Sequence, residues 1–136
     1  MDANVRSTVR WTGLASAALG VVLSPVPLAD ELLLAPVYGL MTLRIAKHHG
    51  LAVRRIPWSP IATTTLAGLM ARAAVNVTVS YIPGVAAAAN AVSAVALTRA
   101  LGRYIDGVCA DPGGARPLTA RALFAQIRRA SSSAAA

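Results

Sequence analysis

The sequence predicts an all-α fold: two antiparallel helical hairpins, making four main helices, followed by a short basic amphipathic C-terminal helix. Three observations lead there. Long apolar segments recur, and much of their apolar content is alanine, a strong helix former that is only weakly hydrophobic. Proline and glycine interrupt them at Ser24-Pro25-Val26-Pro27, at Gly50, at Tyr81-Ile82-Pro83-Gly84 and at Asp111-Pro112-Gly113-Gly114. The break at Pro83-Gly84 is so short that the helices on either side of it must fold back on each other.

Taken in order, residues 1–10 are polar and read as a flexible lead. The first helix starts at Thr12 or Ser16 and ends where two close prolines exclude further helix. Arg6 and Arg10 before the apolar run, with Pro27-Leu28-Ala29 after it, invite a signal-peptide reading. Proline suits the third position before a cut poorly, and the apolar run resumes after Asp30-Glu31, so we expect no cleavage there. Asp30 is placed to cap the second helix. Pro36 either kinks that helix or marks its true first turn. Arg44, Lys47, His48 and His49 fill its last turn, where cations suit the macrodipole, and Gly50 closes it.

Residues 51–60 read as a linker held open by Pro57 and Pro60, and residues 61–101 form the central hairpin. Asn76 and Asn90 lie seven residues either side of Pro83 and are expected level with each other. The second arm of this hairpin is rich in alanine and serine, which lets helix backbones approach closely. The domain thus covers residues 11–110, with a loop at 111–117. Residues 118–130 form a helix with Leu123, Phe124 and Ile127 on one side and Arg121, Arg128 and Arg129 around the other. Such a helix lies on a membrane, docks on a partner or is simply solvated. Residues 131–136 are a low-complexity tail, expected to be disordered.

Composition points toward a membrane. The chain is 56% hydrophobic and only 13% charged, with a net charge of +8, against about 25% charged in an average soluble domain. Basic residues cluster before the first apolar arm, between the second and third, and after the fourth. In a two-hairpin topology all of these fall on one side, as cytoplasmic segments do under the positive-inside rule. The expectation is membrane association, integral or peripheral, with both termini and the basic segments cytoplasmic. A spanning helix needs about 20 predominantly apolar residues. The second arm offers fewer before Arg44, and Arg72 interrupts the third, where it must turn into the bundle or keep the arm shallow.

The residues assemble no reaction centre. Phosphate-binding, dinucleotide and nucleophile-elbow motifs are absent. Cys109 is the single cysteine, so it forms no internal disulfide, and the adjacent His48 and His49 lack the spacing of a helical metal pair. The expectation is no catalytic residue, no metal and no cofactor. Low aromatic content argues against nucleic-acid binding.

Pro25-Val-Pro-Leu-Ala-Asp30-Glu-Leu-Leu-Leu-Ala-Pro36, Met41-Thr-Leu-Arg-Ile-Ala46, Gly50, Ile82-Pro83-Gly84-Val85 and Ala96-Leu-Thr98-Arg-Ala-Leu-Gly102 together resemble the uncharacterised bacterial YcjF-type membrane domain family. That family often has glutamine where Tyr38 stands and a second glycine where Ala86 stands. The resemblance implies an α-helical domain at the bacterial inner membrane, with a small Era-like GTPase as partner acting in trans. Asp30, Pro36, Gly50, Pro83, Gly84, Thr98 and Gly102 match its motifs and are expected to be structurally decisive. The leading expectation is a non-enzymatic membrane-associated module that recruits or regulates a partner. Alternatives are a self-assembling helical scaffold, a homo-oligomer packed through alanine-rich faces, and a small ligand-binding protein or enzyme with a polar pocket at Arg72, Asn76 and Asn90.

Overall fold

A computed structural model of the chain describes residues 2–22, 29–79 and 86–134. Five helices follow one another: α1 (Ala3–Val22), α2 (Ala29–His48), α3 (Trp58–Val79), α4 (Ala86–Ala110) and α5 (Ala120–Ala134). Single 3-10 turns at Val53–Arg55 and Pro112–Gly114 lie between α2 and α3 and between α4 and α5. The all-α expectation, with four main helices and a short fifth, holds.

Both hairpins are antiparallel. His48 at the end of α2 meets Asp2 just before α1, and Arg72 of α3 meets Asn90 of α4. The α4 helix packs against α1, α2, α3 and α5, most extensively against α1. It therefore lies at the centre of the bundle, and Ala94, Leu97, Leu101 and Ile105 are sealed from solvent. One stripe of α4, carrying Arg99, Arg103 and Gly107, remains open.

The contact of α1 with α4 depends on Gly102. A Cβ there would run into all three side-chain carbons of Val9, a β-branched residue with little rotamer freedom. Without that Cβ, the α1 backbone comes close enough for Val5 and Val9 to be buried. This corrects the boundary expected for the lead. Residues 3–10 are helical, and Val5, Val9, Thr12 and Ser16 form the buried stripe of α1 at spacings of three and four. Too few apolar side chains mark that stripe for composition to reveal it.

Gly50 behaves as expected. It has φ +68, its N–H donates to Lys47 O at 3.0 Å, and the Leu51 N–H donates to Ala46 O at 3.0 Å. That pair of bonds is a Schellman cap. Pro36 lies inside α2, which begins seven residues earlier, so the helix continues through a residue that cannot donate.

Thr119 Oγ1 accepts the Ala122 N–H at 3.3 Å and caps α5. Leu118 N donates to the buried Thr64 Oγ1 at 3.0 Å, tying the start of α5 to α3. Leu123 and Ile127 are fully buried in the bundle, whereas Phe124, expected on the same face, stays 38% exposed. The helix also continues to Ala134, past residue 130 where it was expected to end.

The expectation of transmembrane helices is corrected as well. Among the described residues no helix is long and apolar enough to cross a membrane. Polar and charged residues interrupt each arm: Thr12 and Ser16 in α1, Arg44 and Lys47 in α2, Thr63 to Thr65 and Arg72 in α3, Asn90 and Arg99 in α4.

Gly102 and Gly107 make a matched test of this packing. Gly102→Ala lowers stability by about 1 kcal/mol or more, because overpacking against Val9 outweighs the helix-propensity gain. Gly107→Ala, with nothing within 4 Å, raises it by about 0.5–1 kcal/mol. Urea unfolding of the two variants reads the difference, and equal shifts would show that α1 can yield at that contact.

Candidate functional site

Two sets of polar groups lie inside the bundle. In the first, Arg72 is fully buried and its Nη2 donates to Asn90 Oδ1, while Ser93 Oγ donates to Asn90 O at 2.9 Å. Arg72 therefore turns into the bundle. Asn90 meets Arg72, whose long guanidinium arm reaches it from further down α3. The Asn76 and Asp30 side chains lie outside the described residues, as do Pro83 and Gly84.

The second set is a hydroxyl node joining three helices. Thr98 Oγ1 of α4 donates to Ala94 O at 2.8 Å. Its single proton is thereby committed, so the fully buried Tyr38 hydroxyl of α2 donates into it at 3.3 Å. Ser16 Oγ of α1 lies 3.4 Å away. Thr42 Oγ1 donates to Tyr38 O at 2.9 Å. Thr98, one of the positions expected to be decisive, is the common partner of Tyr38 and Ser16 in this node. Both sets tie neighbouring helices together and so fix their register.

The end of the bundle where α1 starts and α2 and α4 finish is different. His48 Nε2 lies 3.0 Å from Asp2 Oδ2, and His49 Nε2 lies 2.9 Å from Asp106 Oδ1. The adjacent rings stand edge to face, 5.8 Å apart. Two consecutive histidines thus clamp the end of α2 to two other helices. No spacing in the sequence announced these pairs, which join residues far apart in the chain. The hydrogen bond and charge of His48 hold the Asp2 carboxyl below its ordinary value. Burial, and then the Asp106 carboxylate, push the Cys109 thiol up, keeping it protonated and unreactive. Among the described residues no group of three His, Cys, Asp or Glu side chains could hold a metal ion.

The outer surface carries both cations and large apolar side chains. Arg6, Arg10, Arg44, Lys47, Arg54 and Arg55 are exposed toward the clamped end, with the exposed Leu43, Val53 and Trp58 among them. Further along, large apolar side chains face outward: Trp11 and Leu14 on α1, Leu33 and Leu40 on α2, Leu66, Met70 and Val77 on α3. Trp11 is 68% exposed, Leu40 61% and Met70 66%. On each helix these residues recur at intervals of three, four or seven, which places them on one face. The α2 helix packs against both α1 and α3.

No family model, no curated protein and no solved structure matches the chain.

Two expectations follow for the polar groups. Asn90→Leu lowers stability by about 1–3 kcal/mol by removing a partner of a buried guanidinium, and the double variant Arg72→Met with Asn90→Leu recovers most of that loss, since replacing both partners leaves no orphan. Thermal melts of the three proteins decide this, and additive losses would mean the pair is not coupled. For the clamp, a depressed carboxyl contributes stability above its unfolded value of 3.8 that is lost as pH falls through its lower folded value. Asp2→Asn therefore flattens the acid limb of the stability profile below pH 3.8, read from melting temperatures across pH 2 to 6 on the scale set by that linkage.

Proposed function

We propose that this chain is a non-enzymatic helical module that associates peripherally with a membrane surface and presents its remaining surface to a partner protein. The single observation behind this reading is the set of exposed apolar side chains on α1, α2 and α3, bordered by cations. An isolated exposed leucine is ordinary, but outward apolar faces on three helices, rimmed by cations, are the pattern of an interaction surface. Interfacial binding needs only an apolar face sunk about 5–10 Å into the headgroup boundary, with cations alongside, and it does not need a spanning helix. Trp11, between Arg10 and Leu14, has the amphipathic ring that settles at that level.

The Thr98 hydroxyl node and the Arg72–Asn90 pair support a scaffold, because they join helices within the bundle. The motif resemblance alone points to an Era-like GTPase as the partner, at the cytoplasmic side of a bacterial inner membrane.

The test is co-sedimentation with vesicles of phosphatidylcholine and phosphatidylglycerol. Wild-type protein pellets with the vesicles. The variant carrying Leu33→Ser, Leu40→Ser and Met70→Ser, all at exposed positions, binds at least about tenfold more weakly, given roughly 25 cal/mol per Å2 of apolar surface removed from water. Wild-type protein left in the supernatant, or equal binding by both, overturns the reading. A concentration-dependent oligomer that the triple substitution abolishes would instead assign these faces to a second copy of the chain.

A further inference from the structure

The side chains at the clamped end enclose a groove of about 400 Å3 between α1 and α2. Its volume lies within the range of small-molecule sites, about 300–1,000 Å3. The floor is apolar, formed by the buried Val5 and Ile45. Asn4 and Thr8 stand on the α1 side, and Arg44, Lys47 and His48 on the α2 side. The nearby Asp2 carboxylate is engaged by His48. Neither Arg44 nor Lys47 meets a carboxylate among the described residues. Thr8 Oγ1 donates to the Asn4 backbone O at 3.1 Å, which commits its only proton within α1.

Cations near the end of α2 complement its macrodipole, and that accounts for their charge. It does not account for their closing a groove in which a planar guanidinium, an ammonium and a side-chain amide converge as donors. That donor set fits a compact oxyanion with several acceptor oxygens, which guanidinium meets bidentately and ammonium as a point charge.

We infer that the groove between α1 and α2 binds a phosphate-bearing group, held by Arg44 and Lys47 with the Asn4 side-chain amide as lateral donor. The group is the headgroup of an anionic phospholipid or a free phosphate compound. The lipid source rests on the membrane-surface reading, whereas the site itself does not.

Two variants of equal charge change separate a built site from general attraction. Arg44→Gln with Lys47→Gln empties the groove of its cations. Arg54→Gln with Arg55→Gln removes two exposed charges from the neighbouring 3-10 turn, outside the groove. On phosphatidylcholine vesicles containing phosphatidic acid, the groove variant binds about tenfold more weakly than wild type and the control loses less than about threefold, as lost charge-assisted bonds require. In parallel, inorganic pyrophosphate is titrated into the 15N-labelled protein. Saturable amide shifts centred on Thr8, Arg44 and Lys47, absent from the groove variant, are expected.

Discrimination on vesicles assigns a lipid headgroup. Pyrophosphate shifts without that discrimination assign a free phosphate compound. If wild-type protein ignores all vesicles yet shows the shifts, the membrane reading fails and the groove stands. Equal losses by the two double variants, together with diffuse shifts or none in the groove, overturn the site.

Discussion

Packing around α4 is the constraint on which the rest of this small bundle depends. A helix enclosed by four others has almost no face left for solvated side chains, so its inward residues must be apolar, small or internally bonded. Gly102 provides the closest approach, to α1, and Gly68 of α3 provides a second, since a Cβ there would press on Leu97 of α4. The alanine content that makes α4 look unremarkable is what allows neighbours on all but its one open stripe. Little aromatic bulk fills the interior; close backbone approach takes its place.

Close packing makes an unsatisfied polar atom costly, and most groups of the two buried polar sets find partners inside the bundle. The Thr98 node fixes α1, α2 and α4 at one level, and the Arg72–Asn90 pair fixes α3 against α4. Dehydrating a guanidinium is costly, and hydrophobic residues of similar volume would often be as stable. Its value lies in register. Flat alanine-rich faces discriminate poorly between neighbouring alignments, whereas an arginine that must meet Asn90 permits few.

The same topology sets the charge distribution. Antiparallel hairpins bring the start of α1, the end of α2, the turn at Val53–Arg55 and the end of α4 to one end of the molecule. Cationic residues scattered along the chain become a single basic end there, with two histidine–aspartate pairs holding it together. Apolar side chains on α1, α2 and α3 face outward beside it. The peripheral module proposed above and the phosphate groove both draw on this arrangement, the first on the apolar faces and the second on two cations at the basic end.

By itself the sequence determined the helical class, the hairpin order, the breaks and the glycine cap at Gly50, because these are local: propensity, proline stereochemistry and positive φ act within a few residues. It also determined the one-sided charge pattern, which needs only the order of the arms. Three things were left to tertiary structure. The first turns of α1 are helical because Val5 and Val9 find α4. Arg72 and Asn90 pair because of the relative level of two helices. His48 and His49 meet Asp2 and Asp106 across 46 and 57 residues of chain. Whether an apolar side chain ends inside or outside was likewise decided by packing. Leu123 and Leu40 are equally hydrophobic, and only the placement of neighbouring helices buries one and exposes the other.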